Sequence, residues 1–249
     1  MLRLAHGRRY ALLTGEHEKM KIPTTAKTLL LVRHGITEMN VYLGTSGYGT
    51  PGFVDPGKWD TRLTPDGEAQ AKKLRTVLQD EQIDLLVSSP LTRALMTADL
   101  AFGDDPAAFP RIAQPFIAER RWLSSDVGRS PAELSAEFGH YDLSALGETW
   151  WWEGDDAAAA AARAARAKLQ GVAPAELRGV AMAVEPNEVF LARLRRFCYW
   201  LDARPEQRIA VVAHWGVFYS LLGRSLKNCE LVRMRSDELP AELTDSPGD

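Results

Sequence analysis

An α/β fold with a mostly parallel sheet is predicted by the way short apolar runs alternate with helix-like stretches along the chain. Two observations carry the prediction. The runs KTLLLVR, IDLLVSSP and RIAVVAHWG are continuously apolar at their centres, as strands covered on both faces are. Each ends in polar residues (Arg33 with His34, Ser88 with Ser89, and His214), and in parallel sheets ligands gather at the carboxyl ends of strands.

Taken in order, Lys27 to Arg33 reads as the first strand, and a loop holding Thr37 and Asn40 follows it. Thr64 as N-cap and Pro65 at the first helical position start a helix whose apolar residues are Ala69, Leu74, Val77 and Leu78. Ile83 to Pro90 is a second buried strand, with a helix over Leu91–Phe102 behind it, and Arg111 to Phe116 a short third strand. Ser130, Pro131 and Glu133 mark a capped helix to Phe138. Gly139 to Ala183 breaks the pattern: WWWEGDD and an alanine-rich run over 157–167 are expected to form a helical insertion or lid. Pro186 to Pro205 has the spacing of a long amphipathic helix, with Val189, Phe190, Leu194, Phe197 and Leu201 on one side. Arg208 to Gly216 is the next strand, VFYSLLGRSL a helix, and Cys229 to Met234 the last strand.

Composition narrows the function. A chain of 249 residues with 45% hydrophobic content supports one large α/β domain or two small ones. The net charge of −3 gives no reason to expect a nucleic-acid surface or a polybasic membrane patch, so any anion site must be local. Two cysteines, Cys198 and Cys229, are too few for a disulfide framework and lack CxxC spacing; they are expected to be core thiols in a reducing, cytoplasmic setting. No apolar run approaches the roughly 20 residues that span a bilayer. Residues 1–25 are expected to be a loose extension, with 26–249 forming the folded domain and its insertion at about 139–183. No cluster has metal-ligand spacing, and no cofactor is expected.

The stretch LVRHGITEMN places an arginine, a histidine and a glycine at a strand end. A nucleophilic histidine must be neutral, and neighbouring cations such as Arg33, with Arg93 approaching in space, disfavour adding a proton to it. Arginine presents a planar fork that suits phosphate oxygens. Gly35 lets a ligand near the backbone, and Thr37 and Asn40 add short hydrogen-bonding groups. Together these outline a phosphate pocket. His6, in AHGRR, has no apolar strand before it, and His17 and His140 are expected at the surface.

RHGITEMN resembles the RHGxTxxN signature of the histidine phosphatase superfamily, the phosphoglycerate mutase-like proteins. SSPLTRALMTA resembles that family's second block and VVAHWG its third; the similarity is ordered and runs from about Thr28 to Met234. The resemblance implies a three-layer α/β/α sandwich with a mixed, mainly parallel sheet, and a chemistry without metal. It implies that His34 is the phosphorylated nucleophile, that Arg33, Arg93 and His214 bind the phosphoryl group with Asn40 and Thr37 in support, and that Glu119 in PFIAERRW is the acid. Asp126 and Glu148 are the reserve acids. Family mutases usually continue from the signature into a tight FxGWxD-like loop. Here VYLGTSGYGTPGFVDPGKWDTRLT is longer and rich in Gly and Pro, which favours phosphatase over mutase activity. The expectation is a metal-independent phosphomonoesterase acting on a small phosphorylated metabolite. The alternatives are a mutase and a non-catalytic phospholigand- or protein-binding module. Nothing in the sequence fixes the oligomeric state.

Overall fold

The computed structural model describes residues 26–154, 184–240 and 242–245. The expected extension over 1–25 and the alanine-rich run lie outside them. Five strands form one sheet in the order β3-β2-β4-β1-β5: β1 (Thr28–Arg33), β2 (Leu85–Ser88), β3 (Arg111–Ala113), β4 (Arg208–Ala213) and β5 (Leu231–Arg235). β5 pairs antiparallel with β1 at one edge, and the other pairings are parallel. Six helices accompany them among the described residues: α1 (Glu38–Leu43), α2 (Pro65–Leu78), α3 (Thr92–Phe102), α4 (Pro131–Phe138), α5 (Asn187–Asp202) and α6 (Trp215–Leu222).

The continuous apolar runs divide by parity into two cores. Leu29, Leu31, Val87, Ile209 and Val211 pack with Phe190, Phe197 and Phe218 from α5 and α6. Leu30, Val32, Leu86, Ala210 and Val212 pack with Leu74, Leu95 and Phe138 from α2, α3 and α4. That is the three-layer α/β/α sandwich. A fully buried Val or Leu contributes about 1.5–3 kcal/mol, so a one-residue slip would exchange every strand side chain between unlike layers and is strongly disfavoured. Register therefore aligns the functional ends: Arg33 pairs with Ala213, and Ser88 with Val212. The ladder runs one step further, His34 N–H donating to Ala213 O at 3.0 Å and Ser89 N–H to Val212 O at 2.9 Å.

Several boundaries differ from the sequence reading, each for a local reason. The loop expected after His34 contains α1, because Thr37 and Asn40 form a reciprocal capping box: Thr37 Oγ1 accepts from Asn40 N–H, and Asn40 Oδ1 from Thr37 N–H, both at 3.1 Å. β3 stops after three residues, where Gln114 caps a 3-10 turn over Pro115–Ile117. The helix after β4 starts at Trp215 and ends at Gly223, whose φ of 68° is the left-handed conformation that terminates helices. Residues 139–154 form turns, not a helix, and Trp151 is buried within them. His140, expected at the surface, is half-buried with Nε2 2.9 Å from Asp99 Oδ1. Cys198 and Cys229 are free and half-buried, not fully in the core; burial pushes their thiols up to about 11 and about 12. No helix among the described residues is long and apolar enough to cross a membrane.

The start of α2 is pinned to the segment after His34. Thr64 N–H donates to Ile36 O at 2.9 Å and Gln70 Oε1 accepts from Ile36 N–H at 3.2 Å. A Cβ on Gly67 would stand 2.1 Å from Ile36 O, and one on Gly35 2.7 Å from Gly67 O. The obstacles are backbone atoms, so Gly67→Ala is expected to lower stability by about 1–3 kcal/mol, the scale of overpacking. A urea melt checks this, and an unchanged midpoint would show that α2 can move aside without cost.

Candidate active site

His34 lies at the floor of a cleft of about 810 Å³ and is only 3% exposed. Its Nδ1 is 2.8 Å from Gly35 O. A carbonyl oxygen only accepts, so Nδ1 carries the ring proton and Nε2 keeps its lone pair. Burial, then the positive charges of Arg93 and Arg33, hold the imidazole well below its ordinary pKa, which keeps it neutral. Asn228 Nδ2 donates to His34 O at 2.9 Å and fixes the backbone from the far side.

The two arginines are held by different means. Arg33 Nη1 donates to Leu226 O at 2.7 Å, and its buried Nε has no partner among the described residues. Arg93, in the first turn of α3, donates through Nη1 to Ser125 O at 2.6 Å and through Nη2 to Asp126 Oδ1 at 2.9 Å. Asp126 in turn accepts from Trp122 N–H and Leu123 N–H at 3.1 and 3.0 Å. The reserve acid Asp126 is thus committed to orienting Arg93. Leu91 cannot cap α3 through its side chain, and a distant carboxylate does so: Asp60 accepts from Thr92 N–H at 2.8 Å and from Arg129 Nε at 3.0 Å.

His214 is fully buried beneath this pair, its ring centroid 5.1 Å from that of His34. Its Nε2 is 2.6 Å from Ser89 Oγ, which already accepts from Leu91 N–H at 3.3 Å. The serine oxygen can donate to Nε2 or accept from it, and Nδ1 of His214 is buried without a partner among the described residues; the ring lies behind the cleft and does not line it. Burial, followed by the charge of Arg93, pushes His214 well below its ordinary pKa, so the ring stays neutral.

Glu119 forms part of the cleft wall. Its Oε2 accepts from Gly216 N–H at 3.1 Å, in the first turn of α6, and its Oε1 from Arg120 N–H at 2.9 Å. A Cβ at position 216 would stand 2.5 Å from Glu119 Oε1, so only glycine lets the carboxylate come this close. Both N–H groups favour the charged form, yet burial outweighs them and, with the nearby charge of Asp126, raises Glu119 above the usual carboxylate range. Arg193 on α5 fixes the backbone beneath: it donates to Phe116 O, Ala118 O and Glu119 O at 2.9, 2.7 and 2.9 Å, and pairs with the buried Glu185.

The remaining sequence candidates divide. Asn40 lines the cleft, its Oδ1 occupied by Thr37 N–H and by Asn228 Nδ2 at 3.3 Å, so its amide N–H groups are the donors left for a ligand. Thr37 lines the cleft but serves α1 as its cap. Gly35 does not line it; it is glycine because α2 packs there. Glu148 is exposed and away from the cleft. Trp150 and Trp151 pack edge to face, with Trp150 Nε1 donating to Arg129 O, and neither lines the cleft. Residues the sequence reading did not single out include Ser89 as the partner of His214, Arg193 with Glu185, and Thr61, which lines the cleft and whose buried hydroxyl has no partner among the described residues. A signal existed for Ser89, which stands at the polar end of the second strand.

The sequence profile of the histidine phosphatase superfamily (branch 1) matches residues 29–172, more than half of the chain. A "Phosphoglycerate mutase-like protein" of Arabidopsis thaliana is 28% identical across 88% of this chain and 79% of its own length. An "Adenosylcobalamin/alpha-ribazole phosphatase" of Escherichia coli K12 is 27% identical across 79% and 77%. Among solved structures, a putative alpha-ribazole-5'-P phosphatase from Escherichia coli superposes with a TM-score of 0.52 at 22% identity, covering 90% of this chain and all of its own. A phosphoglycerate mutase from Bacillus anthracis gives 0.50 at 17%, covering 89% of this chain and 94% of its own. At those identities the two structures establish the shared fold only.

Proposed function

The chain belongs to the histidine phosphatase superfamily, and on that premise we propose that it is a metal-independent phosphomonoesterase acting on a small phosphorylated metabolite through a phosphohistidine at His34. One observation carries the reading: a neutral His34, its tautomer set by Gly35 O, shares a cleft with two oriented arginines and a carboxyl group of raised pKa. Such pairs, with pKa values pushed apart by their surroundings, mark acid and nucleophile assignments.

In the first step His34 Nε2 attacks phosphorus, the bond to the ester oxygen breaks, and Glu119 gives its proton to the departing alkoxide. In the second, water attacks the phosphohistidine, the phosphorus–nitrogen bond breaks, and the Glu119 carboxylate takes the proton from water. Inorganic phosphate leaves and His34 is restored. Arg33, Arg93 and the amide of Asn40 receive the non-bridging oxygens, with His214 in support behind them.

Arg93→Lys keeps the charge but loses the fork that meets Ser125 O and Asp126, so kcat/KM is expected to fall by about 10²-fold or more. Arg33→Lys should lose a comparable factor; near-wild-type rates in both variants would move the phosphate site elsewhere. The reading itself is tested by assaying a panel of phosphorylated metabolites, with EDTA present, for phosphate release and for transfer to an added acceptor. Release without transfer is expected, and predominant transfer would assign a mutase instead.

A further inference from the structure

We infer that the ester group of the substrate is bulky and apolar, best filled by an aromatic ring, and carries no second anionic group. This rests on the phosphatase reading of the same cleft. The volume of about 810 Å³ far exceeds what a phosphate occupies, and its lining includes the large apolar and aromatic side chains of Leu43, Tyr48, Phe53, Trp122, Leu123 and Trp215. Among the described residues the only cations lining the cleft are Arg33 and Arg93, both assigned to the phosphoryl end. The other charged lining residues are Glu119 and Asp126, both acidic. A carboxylate or second phosphate on the leaving group would thus lose its hydration and find no free counter-charge among the described residues.

The rings are held from behind, which limits the ordering cost of binding. Tyr48 meets Phe53 edge to face at 5.1 Å between centroids, and Tyr42, whose hydroxyl donates to Val54 O at 2.9 Å, braces Phe53 at 6.2 Å. Trp215 stacks on Tyr219 at 5.3 Å, with its indole N–H donating to Ser225 Oγ. The guanidinium of Arg120 covers Trp122 at 4.4 Å. Such a collar recognises a flat apolar group by offset stacking and edge contacts.

The test compares three esters whose leaving alcohols are similarly basic, so that differences report the cleft and not the chemistry: propyl phosphate, 3-phenylpropyl phosphate and 3-(phosphonooxy)propanoate. The phenyl compound is expected to exceed propyl phosphate in kcat/KM by about 10- to 100-fold, the scale on which an apolar pocket discriminates. The carboxylate should fall below propyl phosphate. Tyr48→Ala and Trp215→Ala should each shrink the phenyl-to-propyl ratio, a comparison that is insensitive to partial loss of active protein. Equal rates for the phenyl and propyl esters, or preference for the carboxylate, would overturn the inference. Calorimetric binding of 3-phenylpropylphosphonate and propylphosphonate separates the two levels. If no ester turns over, the phosphatase reading fails, yet tighter binding of the phenyl phosphonate would still uphold the collar's role; equal binding would remove it.

Discussion

His34→Ala is expected to abolish the trappable phosphoenzyme and to lower turnover by at least about 10⁴-fold, the scale on which an enzyme loses its nucleophile. The expectation follows from the state of one nitrogen. With Nδ1–H donated to Gly35 O, Nε2 is the only atom of that ring with a lone pair to offer phosphorus. Rapid quenching of the wild type with labelled substrate should trap an adduct that is labile in acid and stable in base, and the variant should show none. An adduct that persists in His34→Ala would place the nucleophile on another residue. Because the ring is buried, its removal leaves a cavity, so the melting temperature of the variant is measured alongside; His34→Asn, which fills more of the space and keeps a donor, should be equally inactive. The pH dependence has a definite sign. His34 is held below its ordinary pKa by burial and by Arg93 and Arg33, so the nucleophile stays neutral through the range where an ordinary histidine gains a proton, and activity fails only when pH falls through that lowered value. Arg93→Lys frees Ser125 O and Asp126 from their shared partner, and a shifted acid limb in that variant would tie the histidine's state to the arginine's position.

The parts of the site that could be read from the sequence lie where the chain itself brings them together. Arg33 and His34 end a strand and His214 ends another, so the apolar runs and the rule that parallel strands share one carboxyl edge bring them together, while the roles of Arg93 and His214 came from the family resemblance. What stayed out of reach depends on contacts between distant segments. The partner of His214 is 125 residues away, and the clamp on the Glu119 backbone comes from α5, 74 residues away. Position 193 looks like any arginine on the polar side of an amphipathic helix, since periodicity records which face is apolar and not what the other face touches. The missed helix α1 has a different cause. Six residues give little periodic signal, and its evidence was the Thr37–Asn40 capping box, whose two residue types also suit a ligand loop. The wall of the cleft beyond the phosphate end was also out of reach, because part of it comes from the segment after α1. That segment is rich in glycine, and Gly47 and Gly49 adopt φ of 69° and 83°, which turns Tyr48 and Phe53 into the cleft wall.

Glu119→Gln is expected to slow phosphorylation of His34 strongly for alkyl phosphates, by about 10²- to 10⁴-fold, and much less for nitrophenyl phosphate. An alkoxide leaving phosphorus is a strong base and needs a proton as the bond breaks, whereas nitrophenolate departs with little help. The structure supports the acid form of Glu119 on two counts: burial lifts its pKa, and the charge of Asp126 adds to the shift. A phosphate dianion entering the cleft brings further negative charge and acts in the same direction. The sign for pH follows. The acid is present below its raised pKa and is lost as pH rises through it, so alkyl phosphate cleavage should decline on the alkaline side while nitrophenyl phosphate holds its rate. Glutamine preserves size but has one oxygen where the carboxylate uses two, so it keeps either Gly216 N–H or Arg120 N–H and loses the other, and the melting temperature of the variant is measured alongside to separate that lost contact from the lost proton. The measurement is single-turnover phosphoenzyme formation with both substrates, since steady-state rates would mix in hydrolysis of the intermediate, where the same carboxylate acts as base. Equal slowing for the two leaving groups would mean that Glu119 positions the site and does not protonate the oxygen. Slowing for neither would move the acid to Asp126, the other carboxyl group in the cleft; since Asp126 also holds Arg93, Asp126→Asn would then show the leaving-group split together with weakened phosphate binding.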